Sequence, residues 1–442
     1  MFLGRMVGQQ RGFRWTRGSR NPDAKIGRKE FIVKGFWKMM LKGQRKRPWS
    51  RRGILAATEI TVVALIGAGL AVAQPASQEK PLLAEQVFKN VQALKGIPVD
   101  DFMEAMGLMT AALQFDCSDC HVRAGTDRAD WAADTPMKVM ARTMVNMVAT
   151  INKNNFGGRQ MVTCWTCHHN RDKPLVTPTL ETIYGTPALV WDDTITQSPG
   201  APSAESILDK YIQASGGAQR LAGLTSFVGK GTNVGFGGFA GDVEIVAKAP
   251  DKRATIILFK AETGQGDQIR SYDGRTGWVR TPLNVLGEFQ LSGSDLDGAR
   301  FDAQLSFPGQ IKQILTNLKA GPPTTITDLP AIRESSRQDV TPGQNHSVNV
   351  VQGTGPRDLL VTLYFDAQTG LLVRELRYGG SPIGRVPTQI DYADYRDVNG
   401  IKLPFRIAFA WLDGRDSIVL NEIRTNVPFD EAKFGRPPLK RQ

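Results

Sequence analysis

Histidine and cysteine are the scarce residues of this 442-residue chain, with four of each. The four histidines form no histidine-rich metal motif in the sequence. No Gly-x-Ser-x-Gly run is present to place a nucleophilic serine, so hydrolase chemistry has no candidate constellation. The glycine-rich stretch Gly229 to Gly241 lacks both a following helix-forming run and the Gly-Lys-Ser/Thr of a phosphate loop, which leaves strand and turn as its expected form. A basic surface for nucleic acid is missing as well. The formal charge of +12 is concentrated in residues 1–52, a basic leader with 16 Lys and Arg against Asp23 and Glu30, and the remainder of the chain is close to neutral.

All four cysteines fall in two short runs, Cys117-Ser118-Asp119-Cys120-His121 and Cys164-Trp165-Thr166-Cys167-His168. Two C-x-x-C pairs are compatible with a four-cysteine zinc site, and one pair with a thioredoxin-like dithiol. Neither needs a histidine directly after each pair. C-x-x-C-H is the attachment signature of c-type haem: two thiols reach the two vinyl groups of one porphyrin, and the histidine becomes the proximal iron ligand. The expected cofactors are two covalently bound c-type haems held by Cys117, Cys120, Cys164 and Cys167, with His121 and His168 as proximal ligands. Only His169 and His346 remain. His169 adjoins a proximal histidine, and a lone histidine such as His346 is usually a surface or loop residue, so methionine is the favoured sixth ligand.

Residues 53–73 are small and apolar apart from Thr58, Glu59 and Thr61, and they follow Arg45-Lys46-Arg47 and Arg51-Arg52. This is the pattern of a secretory signal. Ala71-Val72-Ala73 fits a small-x-small cleavage site, which makes Gln74 the first mature residue. A run of about 21 residues also just spans a bilayer, so an uncleaved anchor in the inner membrane is the alternative. Ser50 to Leu55 resembles a twin-arginine signal, but thioether-bound haem is installed after an unfolded chain has crossed, which favours the general secretory route. The leader is long, and Met39 and Met40 are candidate translation starts. The expected location is the periplasm or exterior of a bacterium.

From Pro81 to about Ile183 the pattern is helical. Val99, Phe102, Met103, Met106 and Leu113 share one side of the segment Val99 to Leu113. Met137, Met140, Met144, Met147, Val148 and Ile151 do the same from Pro136, which suits a first helical turn capped by Asp134 or Thr135. Each methionine-bearing helix precedes one C-x-x-C-H, so residues 74–183 read as one unit used twice.

The run from Glu85 to Met106 resembles the haem-binding repeat of the photosynthetic reaction centre cytochrome c subunit family. So does Met140-Ala141-Arg142-Thr143-Met144-Val145-Asn146-Met147, followed by Ile151-Asn152 and Val162 to His168. The resemblance covers about a quarter of the chain. It implies that the helix before each C-x-x-C-H supplies a methionine to the iron: Met106 through its Phe-x-x-x-Met motif, Met144 through Ala-Arg-x-Met. Met103, Met109, Met140 and Met147 are then packing residues. Arg142 is expected as a propionate partner or as an exposed helical arginine. The implied partners are a redox donor and acceptor, including a membrane electron-transfer complex. Full subunits of the family carry four haems, whereas this sequence has two attachment sites and no histidine between Met144 and Cys164 for a further distal ligand. That departure widens the expected setting to respiratory or other periplasmic electron transfer.

Residues 184–203, with Pro187, Pro199, Gly200 and Pro202, read as a linker. Ser203 then caps an amphipathic helix with Ile207, Leu208, Tyr211 and Ile212 on one face, ended by Gly216-Gly217. Beyond it the apolar period is two, as in Val243, Ile245 and Ala247 or Phe405, Ile407, Phe409 and Trp411. Asp273-Gly274, Asn399-Gly400 and Asp413-Gly414 are hairpin turns, and one or two helices are expected between Asp295 and Lys319. The phrases Tyr364 to Arg374 and Tyr392 to Pro404 resemble the half-barrel of periplasmic lipoprotein carriers, which implies a curved sheet over an apolar or lipid ligand, or a filled core.

The fold class is thus multidomain: a mainly α dihaem module, then an antiparallel β-rich, half-barrel-like α+β domain over 204–438. The expected function is a periplasmic two-haem cytochrome carrying single electrons, not an enzyme. A peroxidase-like two-haem enzyme and a lipid or lipoprotein handler with a redox-sensing haem module are the alternatives.

Overall fold

The computed structural model describes residues 80–438, apart from 127, 179, 181–182, 184–193, 236–239, 260–265, 282–286, 330, 334–335 and 342. The basic leader, the apolar segment 53–73 with its expected cleavage site, and most of the expected linker lie outside the described residues. Among those described, no helix is long and apolar enough to cross a membrane. Residues 77–442 form one compact unit.

The amino-terminal part is helical: α1 (Ala84–Val87), α2 (Val99–Leu113), α3 (Cys117–Cys120), α4 (Pro136–Phe156) and α5 (Cys164–His168). Asp100 and Asp101 in the first turn of α2 suit the positive end of the helix dipole, and Gln114 closes the helix in the left-handed conformation. Thr135 caps α4, its Oγ1 accepting from Lys138 N at 3.2 Å, with Pro136 in the first turn. The helix runs to Phe156 rather than Ile151. Asn152 to Asn155 carry no apolar periodicity, and the stop is Gly157 in the left-handed region.

Further α-helices that follow among the described residues are α6 (Ala204–Ala214), α7 (Ala218–Ala222), α8 (Gly293–Leu305) and α9 (Ile311–Ile314). Ser203 caps α6, as its sequence indicates, with Oγ accepting from Ser206 N at 3.1 Å. The strands are β1 (Ser226–Val234), β2 (Ala240–Lys248), β3 (Lys252–Phe259), β4 (Asp267–Tyr272), β5 (Gly277–Arg280), β6 (Glu288–Gln290), β7 (Thr316–Ala320) and β8 (Thr324–Thr327). Then come β9 (Ala331–Arg333), β10 (Ser336–Thr341), β11 (Asn345–Thr354), β12 (Leu360–Asp366), β13 (Leu372–Ser381), β14 (Gly384–Val398), β15 (Ile401–Trp411) and β16 (Gly414–Thr425). Fourteen of them form one sheet in the order β6-β5-β4-β3-β2-β1-β16-β15-β14-β13-β12-β11-β7, with β8 also on β11; β9 and β10 pair separately. Every pairing is antiparallel, and β1 meets β16, so the first and last strands of the domain close the middle of the sheet.

The sheet is curled. Arg270 on β4 and Phe409 on β15 stand five strands apart, about 24 Å in a flat sheet. Yet the guanidinium carbon lies 5.5 Å from the centre of the ring. Gln268 on β4 likewise donates to Asp416 on β16 at 2.9 Å. Part of the bending is visible at the bulge between Lys230 and Gly231, where a Cβ on Gly231 would lie 2.0 Å from the Val419 carbonyl oxygen. The main core fills the inner face: Leu208 and Tyr211 of α6 and Phe301 of α8 pack on Ile245, Ile257, Leu363, Phe365 and Leu420. The odd residues of β2 face inward, while Val246 turns outward onto Phe434.

The helical segment has little core of its own. Its buried cluster is Ala105, Leu108 and Val145 together with Ile383 from the β13–β14 turn, and Leu412 from the β15–β16 turn packs beside it. One expectation about a helix face is corrected here, on α4. On α2 the side packed on protein is Ala105, Gly107, Leu108 and Ala112, where glycine and the alanines permit close approach, while Phe102, Met103, Met106 and Leu113 are half-buried and line one cavity together. On α4 only Val145, Val148 and Asn152 are buried; Met140 and Met147, expected as packing residues, are 57% and 43% exposed because no described polypeptide covers that face.

Candidate functional site

The two attachment runs are built alike. Asp116 caps α3, its Oδ1 accepting from Ser118 N at 2.7 Å. Thr163 caps α5, its Oγ1 accepting from Thr166 N at 3.4 Å. Each cap starts a short helix at the first cysteine, which puts the second cysteine one turn on. All four thiols are free, and among the described residues no three His, Cys, Asp or Glu side chains converge on a site that could hold a metal ion directly.

Met106, Cys117, Cys120 and His121 line one cavity of about 1230 Å³, with Arg142 and Trp131 on its wall. His121 lies against Trp131, ring centres 5.1 Å apart, and its Nδ1 is buried without a hydrogen-bond partner. Burial, with Lys138 nearby, holds its pKa below the ordinary histidine value, which favours the neutral imidazole that a metal requires. Burial also raises Cys117 and Cys120, so both remain thiols. An orphaned imidazole nitrogen, two free thiols and a methionine around one large cavity fit a covalently attached haem.

Lys138 donates to the carbonyls of Trp131 at 3.0 Å and Ala133 at 2.7 Å, and Thr135 Oγ1 donates to Cys120 O at 2.8 Å, tying α4 to the first attachment helix. Arg142 pairs with Asp134 at 2.7 Å, its side chain only 17% exposed, and donates to Asn90 O at 3.2 Å. It is therefore a partly buried arginine on the cavity wall, not an exposed helical one.

The second set is more open. Met144, Cys164 and His168 are half-buried, Cys167 is exposed, and Trp165 is 46% exposed. His168 Nδ1 lies 2.9 Å from Arg171 O, which leaves Nε2 as the nitrogen available to a metal. The exposed methionine side of α4 and the exposed Trp165 provide apolar surface of the kind a porphyrin covers. His169 lies tilted against Trp165 with ring centres 5.8 Å apart. His346, expected on the surface or in a loop, sits on β11 between Asp328 at 3.0 Å and Asp366 at 3.6 Å, remote in the fold from both attachment runs.

Three further residues were not singled out as site residues by the sequence. Asn152, buried on α4, donates to Val162 O at 2.7 Å and accepts from Met161 N at 3.1 Å and Val162 N at 2.9 Å, fixing the connector just before Cys164. Glu104 and Asp101 face Asp295 across the contact between α2 and α8; burial and Asp295 push Glu104 up to about 10, and burial with Asp100 pushes Asp101 up to about 6. Asn152 is legible only as a polar residue at the end of an apolar stripe.

Residues 53–185 match the family model of the photosynthetic reaction centre cytochrome C subunit. The chain is 31% identical over 105 residues to the photosynthetic reaction center cytochrome c subunit of Thermochromatium tepidum, covering 23% of this chain and 25% of that protein. It is 32% identical over 116 residues to the subunit of Roseobacter denitrificans, covering 23% and 31%. The chain thus spans about a quarter to a third of the length of these relatives. Among solved structures, a DUF1329 family protein from Desulfovibrio piger aligns with a TM-score of 0.32 at 12% identity over 53% of this chain and 98% of its own. A LolA superfamily protein from Nitrosomonas europaea aligns with a TM-score of 0.30 at 15% identity over 52% and 97%.

Proposed function

We propose that this protein is an exported two-haem c-type cytochrome that passes single electrons between redox partners. The observation that carries the proposal is the convergence of Met106, Cys117, Cys120 and His121 on one cavity. The likeness of residues 53–185 to a cytochrome subunit supports it. Cys117 and Cys120 would hold one haem and Cys164 and Cys167 the other; His121 and His168 would ligate proximally, Met106 and Met144 distally. Haem iron supplies a one-electron change between ferric and ferrous states.

The residues then divide the work. A methionine opposite a histidine favours the reduced iron and raises the potential relative to two histidines. Capped helices α3 and α5 set the thiols and imidazoles, and Asn152 holds the connector that aims the second run. Arg142, pinned by Asp134, is placed to meet a propionate. Filled coordination excludes small molecules, which separates an electron carrier from a peroxidase. The signal in residues 53–73 would deliver the chain to the periplasm or anchor it at the inner membrane, where a membrane electron-transfer complex is the partner class. The pyridine haemochrome assay on the purified protein tests this: two c-type haems per chain are expected, and a chain bearing none overturns the proposal.

A further inference from the structure

The cavity that holds Met106 and His121 does not end at the helical segment. Its walls continue under the curled sheet, through Trp411 and Leu412 at the end of β15 to Phe409, Arg270, Tyr272 and Phe289. Its 1230 Å³ exceeds the ~300–1,000 Å³ of an ordinary ligand pocket. It therefore has room for a second occupant beside a haem.

The chemistry of the inner part follows from strand register. Opposed residues place Ile245, Thr255, Arg270, Val279 and Phe289 in one row across β2 to β6 on the inner face. Ile390, Phe409 and Asp416 form a row on β14 to β16. Arg270 bridges the rows through the Phe409 ring, and its Nε is buried without a hydrogen-bond partner. An unsatisfied donor of this kind costs free energy until an acceptor reaches it. Asp416 is occupied by Gln268 and Asn233. Asp295 and Asp413 stand at the end next to Met106 and would repel an anionic head group there. Aromatic walls, one free donor and flanking carboxylates together fit a flat, neutral ring bearing carbonyl acceptors.

We infer that the space under the sheet is a binding site for a quinone carried on an apolar tail, its ring beside the Arg270–Phe409 pair within reach of Arg270 Nε and its approach open to the Met106 side of the cavity. The binding rests on the cavity itself; the choice of a redox-active ligand rests on the two-haem proposal above.

Equilibrium dialysis of the full haem-loaded protein against decylubiquinone tests it, with haem counted in the same sample. One quinone per chain is expected, undisturbed by equimolar dodecanoate. Arg270→Gln should weaken binding about tenfold or more, as loss of a hydrogen bond to a charged donor implies. Phe409→Leu should weaken it as well, which keeps the inference open to test where Arg270→Gln fails to fold. Protein with both haems that takes up no quinone overturns the site alone and leaves the cytochrome proposal standing. Binding unchanged in both variants, or displacement by dodecanoate, overturns the assignment. A chain without haem removes the ground for a redox-active ligand.

Discussion

Asp100, in the first turn of α2, accepts a hydrogen bond from Ser292 Oγ at 2.8 Å, and the same carboxylate accepts from Ser292 N at the head of α8. The helix that carries Met106 is thereby tied to the sheet domain across 192 residues of sequence. With Asp100 only 1% exposed, Asp100→Ala leaves the half-buried Ser292 donors without their partner, and should cost about 1–3 kcal/mol. Urea denaturation checks this, and Asp100→Asn should recover part of the loss.

Asn152 supplies three hydrogen bonds to the connector before Cys164. Asn152→Ala should destabilise by about 1–3 kcal/mol, since Met161 N, Val162 N and Val162 O lose their shared partner. Thermal unfolding reads the stability. On the haem proposal, the second haem should also be attached in lower yield than the first, as peptide mass mapping would reveal.

Glu375, fully buried, is paired with Arg377 and accepts from the Tyr392 hydroxyl at 3.1 Å. Burial and nearby Asp302 nevertheless push it up to about 7, against the pull of Arg377. In the unfolded chain a glutamate titrates near ~4.3. Between those values the folded chain keeps a proton that the unfolded chain has lost, so this group's contribution to stability falls as pH rises from about 4.5 to 7. Glu375→Gln should remove that fall. Denaturation midpoints at pH 5 and pH 8 provide the check: the wild type should lose more between them than the variant.

Much of this architecture is legible in the residues. Val99 and Leu113 bound α2 because the apolar period starts and stops there, Thr135 and Ser203 cap as their type dictates, and Asn399-Gly400 forms its turn with both residues at positive φ. The pairing of Met106 with the first C-x-x-C-H in one cavity follows from a helix standing directly before its attachment run. What sequence could not give is long-range. That Ile383 completes the core beneath α2, or that Arg270 reaches Phe409, depends on the curl of a sheet whose ends have no local signature. On α2 the period marks a non-aqueous side but not what covers it: Phe102, Met103, Met106 and Leu113 line the cavity, while alanine and glycine, weak in apolar signal, mark the side that meets protein.

On the two-haem proposal, Met144→Ala should lower the midpoint potential of the second haem and leave the first nearly unchanged, because a lost thioether removes the preference for ferrous iron. Met106→Ala should do the reverse. Potentiometric titration followed in the visible α-band separates the two; a Met144→Ala protein with both potentials unchanged would strike Met144 from the ligand set.

The most direct measurement is the visible spectrum of the reduced, purified protein with and without carbon monoxide. Two six-coordinate irons, each closed by histidine and methionine, predict a spectrum that carbon monoxide leaves unchanged. Ready binding at either haem would mean an open coordination face, contradicting the electron-carrier account and pointing to substrate chemistry at that iron.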